Sequence, residues 1–243
     1  MVVPASVFAA WINSGGDMND VNEHGNSLLY HACLLQYAFG GRASPSGRAG
    51  PCADLLIEHG ARFAPDYLHL ALRAAAQEQT RTAPGAALDR IKRHDVEWFL
   101  EHGADASHAD ANGWSVLHVV ANCLPPQKAV SFIPSIIAYG GKVDAKSTKT
   151  TMNMYRESNS TEGVTPLHLA AQRVSIENAL SEAETAARLR AVGPEAGSID
   201  VVRLLLRHGA DVNAKTTMGG TPAGYARSQL RQFEMDCDGD PTV

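Results

Sequence analysis

Gly163-Val-Thr-Pro-Leu-His-Leu-Ala-Ala171, followed further on by Asp200-Val-Val-Arg-Leu-Leu-Leu-Arg-His-Gly-Ala-Asp-Val-Asn213, is the stretch on which the fold turns. In the first part Thr165 stands where a hydroxyl accepts a free backbone N–H at a helix start, and Pro166 takes the first helical position, where a missing N–H costs nothing. In the second part the apolar run Val201 to Leu206 leads into Gly209. A glycine just past a helix end adopts the left-handed conformation that a Cβ resists. The passage therefore spells one helix with a start signal and one with a stop signal.

Both signals recur. Stops like the one at Gly209 appear at Ser14-Gly15-Gly16-Asp17, His59-Gly60-Ala61-Arg62, His102-Gly103-Ala104-Asp105 and Tyr139-Gly140-Gly141-Lys142, each behind an apolar run. Starts like Thr165 appear in Gly25-Asn-Ser-Leu-Leu-Tyr-His-Ala-Cys33, Asp66-Tyr-Leu-His-Leu-Ala71, Gly113-Trp-Ser-Val-Leu-His-Val-Val-Ala121 and Gly220-Thr-Pro-Ala-Gly-Tyr-Ala226. Five stops in register are the mark of a repeat protein.

The segment Thr165 to Ala171 carries the T-P-L-H-x-A signature of the ankyrin repeat, and Val201 to Asn213 its second half, so the chain resembles the ankyrin-repeat family over nearly its whole length. The resemblance implies an all-α ankyrin-repeat solenoid of about four full repeats plus terminal half-repeats, with β-hairpin fingers and long inserted loops or helices. It implies a single domain over 1–233: a half-repeat at 1–20, repeats at about 21–63, 64–107, 108–145 and 146–215, and a C-terminal half-repeat at 216–233. Residues 234–243 read as an acidic tail. Glycines 15, 60, 103, 140 and 209 stand 45, 43, 37 and 69 residues apart, all more than the period of about 33. The excess falls at about 37–51, 77–92, 146–162 and 172–198, and long insertions add closure entropy only slowly. Residues 37–51 are rich in Gly, Ser and Pro and read as a loop. Residues 175–192 are rich in helix formers and predict an extended or extra helix, ended by Gly193-Pro194.

Hydrophobic residues make up 44% and charged residues 19% of the 243, the composition of ordinary folded protein. A net charge of −5 argues against a general binder of nucleic acid or anionic membrane. Cys33, Cys52, Cys123 and Cys237 form no C-x-x-C pair and are expected as free thiols. The N-terminus lacks a basic region and its apolar run is very short, so a cytoplasmic location without a secretory signal is expected.

Residues that carry chemistry elsewhere have architectural readings in this pattern. His118 and His168, with His69 in a weaker copy, occupy the histidine position of the family motif, where the imidazole bridges backbone groups of neighbouring repeats. His59, His102 and His208 precede the stop glycines, where a cation suits a helix C-terminus. Cys33, Cys52 and His31 lack the short pairing of a zinc site. Asp236-Cys-Asp-Gly-Asp240 lacks the glycine placement and distal glutamate of a calcium loop. Trp11 and Trp98 fall on apolar faces of second helices. No catalytic residue, metal site or cofactor is expected.

What the resemblance implies is a non-enzymatic protein-protein interaction module that docks a protein partner on a concave face of fingers and first helices. The candidate contacts on that face are Met18, Asn26, Phe63, Asp105, His108, Asp110 and Trp114. The elongated finger adds Lys146, Lys149, Met152, Met154, Tyr155 and Arg156. Trp114, just before the capping serine, suits either a binding anchor or packing onto the next finger, and its position leaves both open. A stoichiometric inhibitor, such as an immunity protein of a bacterial toxin, fits this reading. The alternatives are an effector delivered into host cells to bind a host protein, and an enzyme or regulatory subunit using the inserted helix 175–192 with Glu177, Glu182 and Glu184.

Overall fold

The computed structural model describes residues 10, 13–23, 26–38, 51–78, 91–148, 162–178 and 198–227. Eight named helices lie among them: α1 (Leu28–Ala38), α2 (Pro51–Glu58), α3 (Tyr67–Glu78), α4 (Arg93–Glu101), α5 (Val116–Cys123), α6 (Pro126–Ala138), α7 (Pro166–Asn178) and α8 (Ser198–Arg207). A further helical stretch covers 222–227. The described residues contain no strand. Their only extended pairing is a pair of isolated antiparallel bridges, Val21 to Ser27 and Ala109 to Ser115, so the expected fingers are tight turns there rather than β-hairpins. The chain divides into two compact units, residues 1–108 and 109–243.

In the first unit α1 packs on α2, α3 packs on α4, and α1 packs on α3. Leu29, Leu56, Leu68, Leu72 and Phe99 are fully buried in this unit. The Ser27 hydroxyl receives the Tyr30 N–H (3.1 Å) at the start of α1 and lies 2.7 Å from the Tyr67 hydroxyl, fastening that start to α3. In the second unit α5 pairs with α6 and α7 with α8, while α5 packs on α7 and α6 on α8. Leu117, Leu124, Phe132, Ile133 and Ile136 form its centre. On α8 Val201 and Leu205 face inward, while Arg203, Leu206 and Arg207 stay in water. This is the one-sided burial expected of a helix with apolar residues at i and i+4.

The five stop glycines all adopt positive φ, between 87° at Gly15 and 101° at Gly103. The two glycines behind α2 and α4 close the same way: Ala61 N–H donates to Leu56 C=O and Ala104 N–H to Phe99 C=O, both at 2.9 Å. Beyond the stop, the aspartate of the motif folds its own turn. The carboxylates of Asp17, Asp105 and Asp211 accept the N–H two residues on, at 2.7 to 2.9 Å. The stops are also tied to one another. Asn19 Oδ1 accepts Arg62 N–H at 2.8 Å, and the Asp144 carboxylate accepts Asp211 N–H at 3.0 Å.

The insertions fall between these fixed points. Helix α7 runs past Ala171 to Asn178, into the stretch expected to extend a helix. The rest of 175–192, the Gly193-Pro194 stop, the loop at 39–50, residues 79–90, Trp11 and the tail 234–243 lie outside the described residues. The finger is clearer. Three turns close with an N–H donated to the carbonyl four residues on: Asn22 to Asn26, Asp110 to Trp114 and Thr216 to Gly220, at 2.9 to 3.0 Å. In the fourth, Ser147 N–H donates to Val164 C=O at 2.9 Å and Gly163 N–H returns to Ser147 C=O at 2.8 Å. The closure is the same, and residues 149–161 between its two sides lie outside the described residues.

Candidate functional site

A catalytic reading would need the histidines. His118 Nδ1 receives the Ser115 N–H at 3.0 Å and lies 2.8 Å from the Ser115 hydroxyl, while its Nε2 lies 2.9 Å from Val164 C=O. His168 repeats the pattern: Nδ1 receives the Thr165 N–H (3.2 Å) and the Thr165 hydroxyl (2.9 Å), and Nε2 donates to Gly220 C=O (3.1 Å). Each imidazole is thus a neutral ring accepting from its own helix start and donating to the turn that precedes the next start. Both residues are fully buried. Burial holds His168 below the ordinary imidazole pKa, and nearby Lys146 works in the same direction against the backbone bonds to Gly220 and Ala214. His69 is buried too, with the His108 ring edge-on at 6.0 Å. His102 Nδ1 lies 2.8 Å from Trp98 C=O at the end of α4, and its ring stacks on the Trp98 indole at 4.3 Å.

Among the described cysteines, Cys33 is buried and Cys123 half-buried, both as thiols and not in a disulfide. Burial, aided by Asp54, pushes the Cys33 thiol up to about 12, so the sulfur stays protonated and is a poor ligand or nucleophile. Among the described residues no three His, Cys, Asp or Glu side chains converge as a metal site would require, and no helix is long and apolar enough to cross a membrane.

The surface candidates separate into three kinds. Met18 is buried, at 6% exposure, and belongs to the core of its unit. Phe63 is half-buried and wedged among the rings of Tyr67, Trp98 and Phe99 at 5.0 to 5.8 Å, so it too packs. Asn26 is half-buried in the backbone of its own turn, donating its N–H to Asn22 Oδ1 at 3.0 Å. Asp105 and Lys146 are exposed, although the Asp105 carboxylate already holds the Ser107 N–H and hydroxyl. His108 is half-buried on His69.

Asp110 and Trp114 do come together. Asp110 Oδ1 accepts the N–H groups of Asn112 and Trp114, both at 2.9 Å, and Asp110 N–H donates to Trp114 C=O. The indole lies nearly parallel to the His118 ring, with centroids 5.7 Å apart and planes at 29°. Trp114 is therefore a rigid, half-exposed ring on a buried support. Gly113 makes this possible. Its φ is +74°, and an added Cβ would stand 2.5 Å from Thr148 N, whose N–H reaches Asn112 C=O. Lys149, Met152, Met154, Tyr155 and Arg156 lie outside the described residues.

Sequence reasoning missed Arg173. From α7 its guanidinium reaches the carbonyls of Ala121 (3.3 Å) and Leu124 at the end of α5, where helix carbonyls lack partners. Nothing local announces it, because donor and acceptors are about fifty residues apart in sequence.

Residues 185–217 match the family model described as Ankyrin repeat. That window contains α8 and its glycine stop, while the helix that pairs with α8 in the structure, α7, lies upstream of it. No curated protein matches the chain.

Proposed function

From a chain that carries an ankyrin repeat, we propose a non-enzymatic protein-binding module whose helical pairs are successive repeats within each unit. One observation carries the reading: His118 and His168, the groups best suited to acid–base work, spend one ring nitrogen on their own helix start and the other joining it to the turn before the next start. That is how a repeat array is held together, each unit hiding its apolar flank against a neighbour. The surface left over in each unit includes turns and first-helix starts, and Trp114 supports the use of those of the second unit for docking. The ring is large and half-exposed and lies against the buried His118 ring, while Asp110 holds the Trp114 backbone N–H, so the residue is presented on an ordered backbone. Asp110 on the same turn and Lys146 are further candidate contacts in this unit, Asp105 is one in the other, and the residues inserted after Thr148 are proposed to add contacts.

A module of this kind acts by occlusion. The finer reading is a stoichiometric inhibitor, of which an immunity protein blocking a toxin is one form. The test uses the full chain as bait in the cell that makes it, followed by titration of the captured protein. One-to-one complex formation that silences the partner's activity supports the reading. Trp114→Ala should weaken that complex by about 2 kcal/mol with an unchanged melting temperature. Full-strength binding with a lowered melting temperature would assign Trp114 to packing instead.

A further inference from the structure

We infer that the first unit carries a second docking surface, a groove between α2 and α4 that takes a lysine- or arginine-bearing segment of a partner protein. In the second unit the two second helices, α6 and α8, pack directly on each other. In the first, the facing sides of α2 and α4 enclose an open groove of about 660 Å3. That volume is in the range of sites that hold ligand side chains. The i, i+3, i+4 spacing of Asp54, Ile57 and Glu58 on α2, and of His94, Glu97, Trp98 and Glu101 on α4, turns one face of each helix into its walls.

The chemistry of those walls selects the occupant. Asp54, Glu58, Glu97 and Glu101 are four of the eight lining residues, and among the described residues no lysine or arginine lines the groove. The carboxylate of Glu97 is held at 2.7 Å by Arg93, its neighbour one turn back, so the pattern of a guanidinium on this acidic rim is already present once. Between the acids lie the half-buried Ile57 and His102, the latter stacked on the buried Trp98 indole, apolar surface suited to the aliphatic stem of a long cationic side chain. Most of the chain's net charge of −5 also falls in residues 1–108, which steers cations to this unit. An anionic or purely apolar partner would have to desolvate the carboxylates without compensation.

This surface is distinct from the turns proposed above, and its test does not depend on them. A fluorescein-labelled hexa-arginine peptide is titrated into the full chain and followed by anisotropy, at low and at physiological salt. The wild-type chain should bind, more weakly as salt rises. The E58Q/E101Q double variant should lose roughly tenfold in affinity. Ile57→Lys, which places a cation in the groove, should lose at least as much. The control D200N, on α8 of the other unit, should bind like wild type. Equal binding by all four proteins would overturn the groove and leave only general attraction to an acidic chain. Absence of binding by a wild-type chain with an intact helical circular dichroism spectrum would overturn it as well. Ile57→Lys and D200N each change the net charge by one, so a loss seen with Ile57→Lys and not with D200N needs the groove and not a change in net acidity alone.

Discussion

His168 and Gly113 show how much single positions decide in a structure made of short helices. His168 must be neutral, because its Nδ1 accepts from both Thr165 groups. The fold lowers its pKa, so the unfolded chain binds this proton more readily. The contribution is therefore fully present above the ordinary imidazole value of 6.5 and is lost as pH falls through the lower folded value. Urea unfolding of the wild type should show a loss of stability below about pH 6.5 that H168Q lacks, at the cost of lower stability at neutral pH. Gly113 fails differently when changed. Gly60→Ala meets open space and should cost only the strain of its positive φ, about 1–2 kcal/mol. Gly113→Ala also drives a Cβ onto Thr148 N, so its loss in denaturant midpoint should clearly exceed that of Gly60→Ala.

At the scale of elements, helix ends and turn closures carry the specificity. Arg173 supplies charged donors to the end of α5, so Arg173→Ala should cost about 1.5–3 kcal/mol and speed hydrogen exchange first in the last turn of that helix. The finger invites the opposite result. Ser147 and Val164 close it as the other turns are closed, but over seventeen residues in place of four. Cutting the insertion to a four-residue turn removes loop-closure entropy, so stability should hold or rise by about 1 kcal/mol. Affinity for the captured partner should fall if the finger contributes contacts, and calorimetry on the shortened chain reads both. The stops and starts of these elements were legible in the sequence, because a left-handed glycine and a capping Ser or Thr answer to local geometry. Arg173, the burial of Met18 and the packing of Phe63 were not. Each depends on which helix arrives from far along the chain, and a side chain at a turn tip reads the same whether it points out or folds under.

At the scale of the molecule, stability in each unit passes from pair to neighbouring pair. In the second unit α5 contacts α7 and α6 contacts α8, with Leu117 buried at the centre. Leu117→Ala should cost about 2–5 kcal/mol and raise exchange across α5 to α8 together, not in α5 alone. The candidate surface was only half legible at this scale. The position of Trp114 before Ser115 left anchor and packing both open, and its contacts with Asp110 and His118 needed coordinates, as did the gap between α2 and α4. The backbone clasp at Ser147 and Val164 has one more consequence. Both ends of the chain between them are fixed by these bonds, so a change of its length should leave the helical pairs in place. The position is thus a ready-made graft point, where foreign recognition sequences of different lengths can be displayed on an undisturbed support.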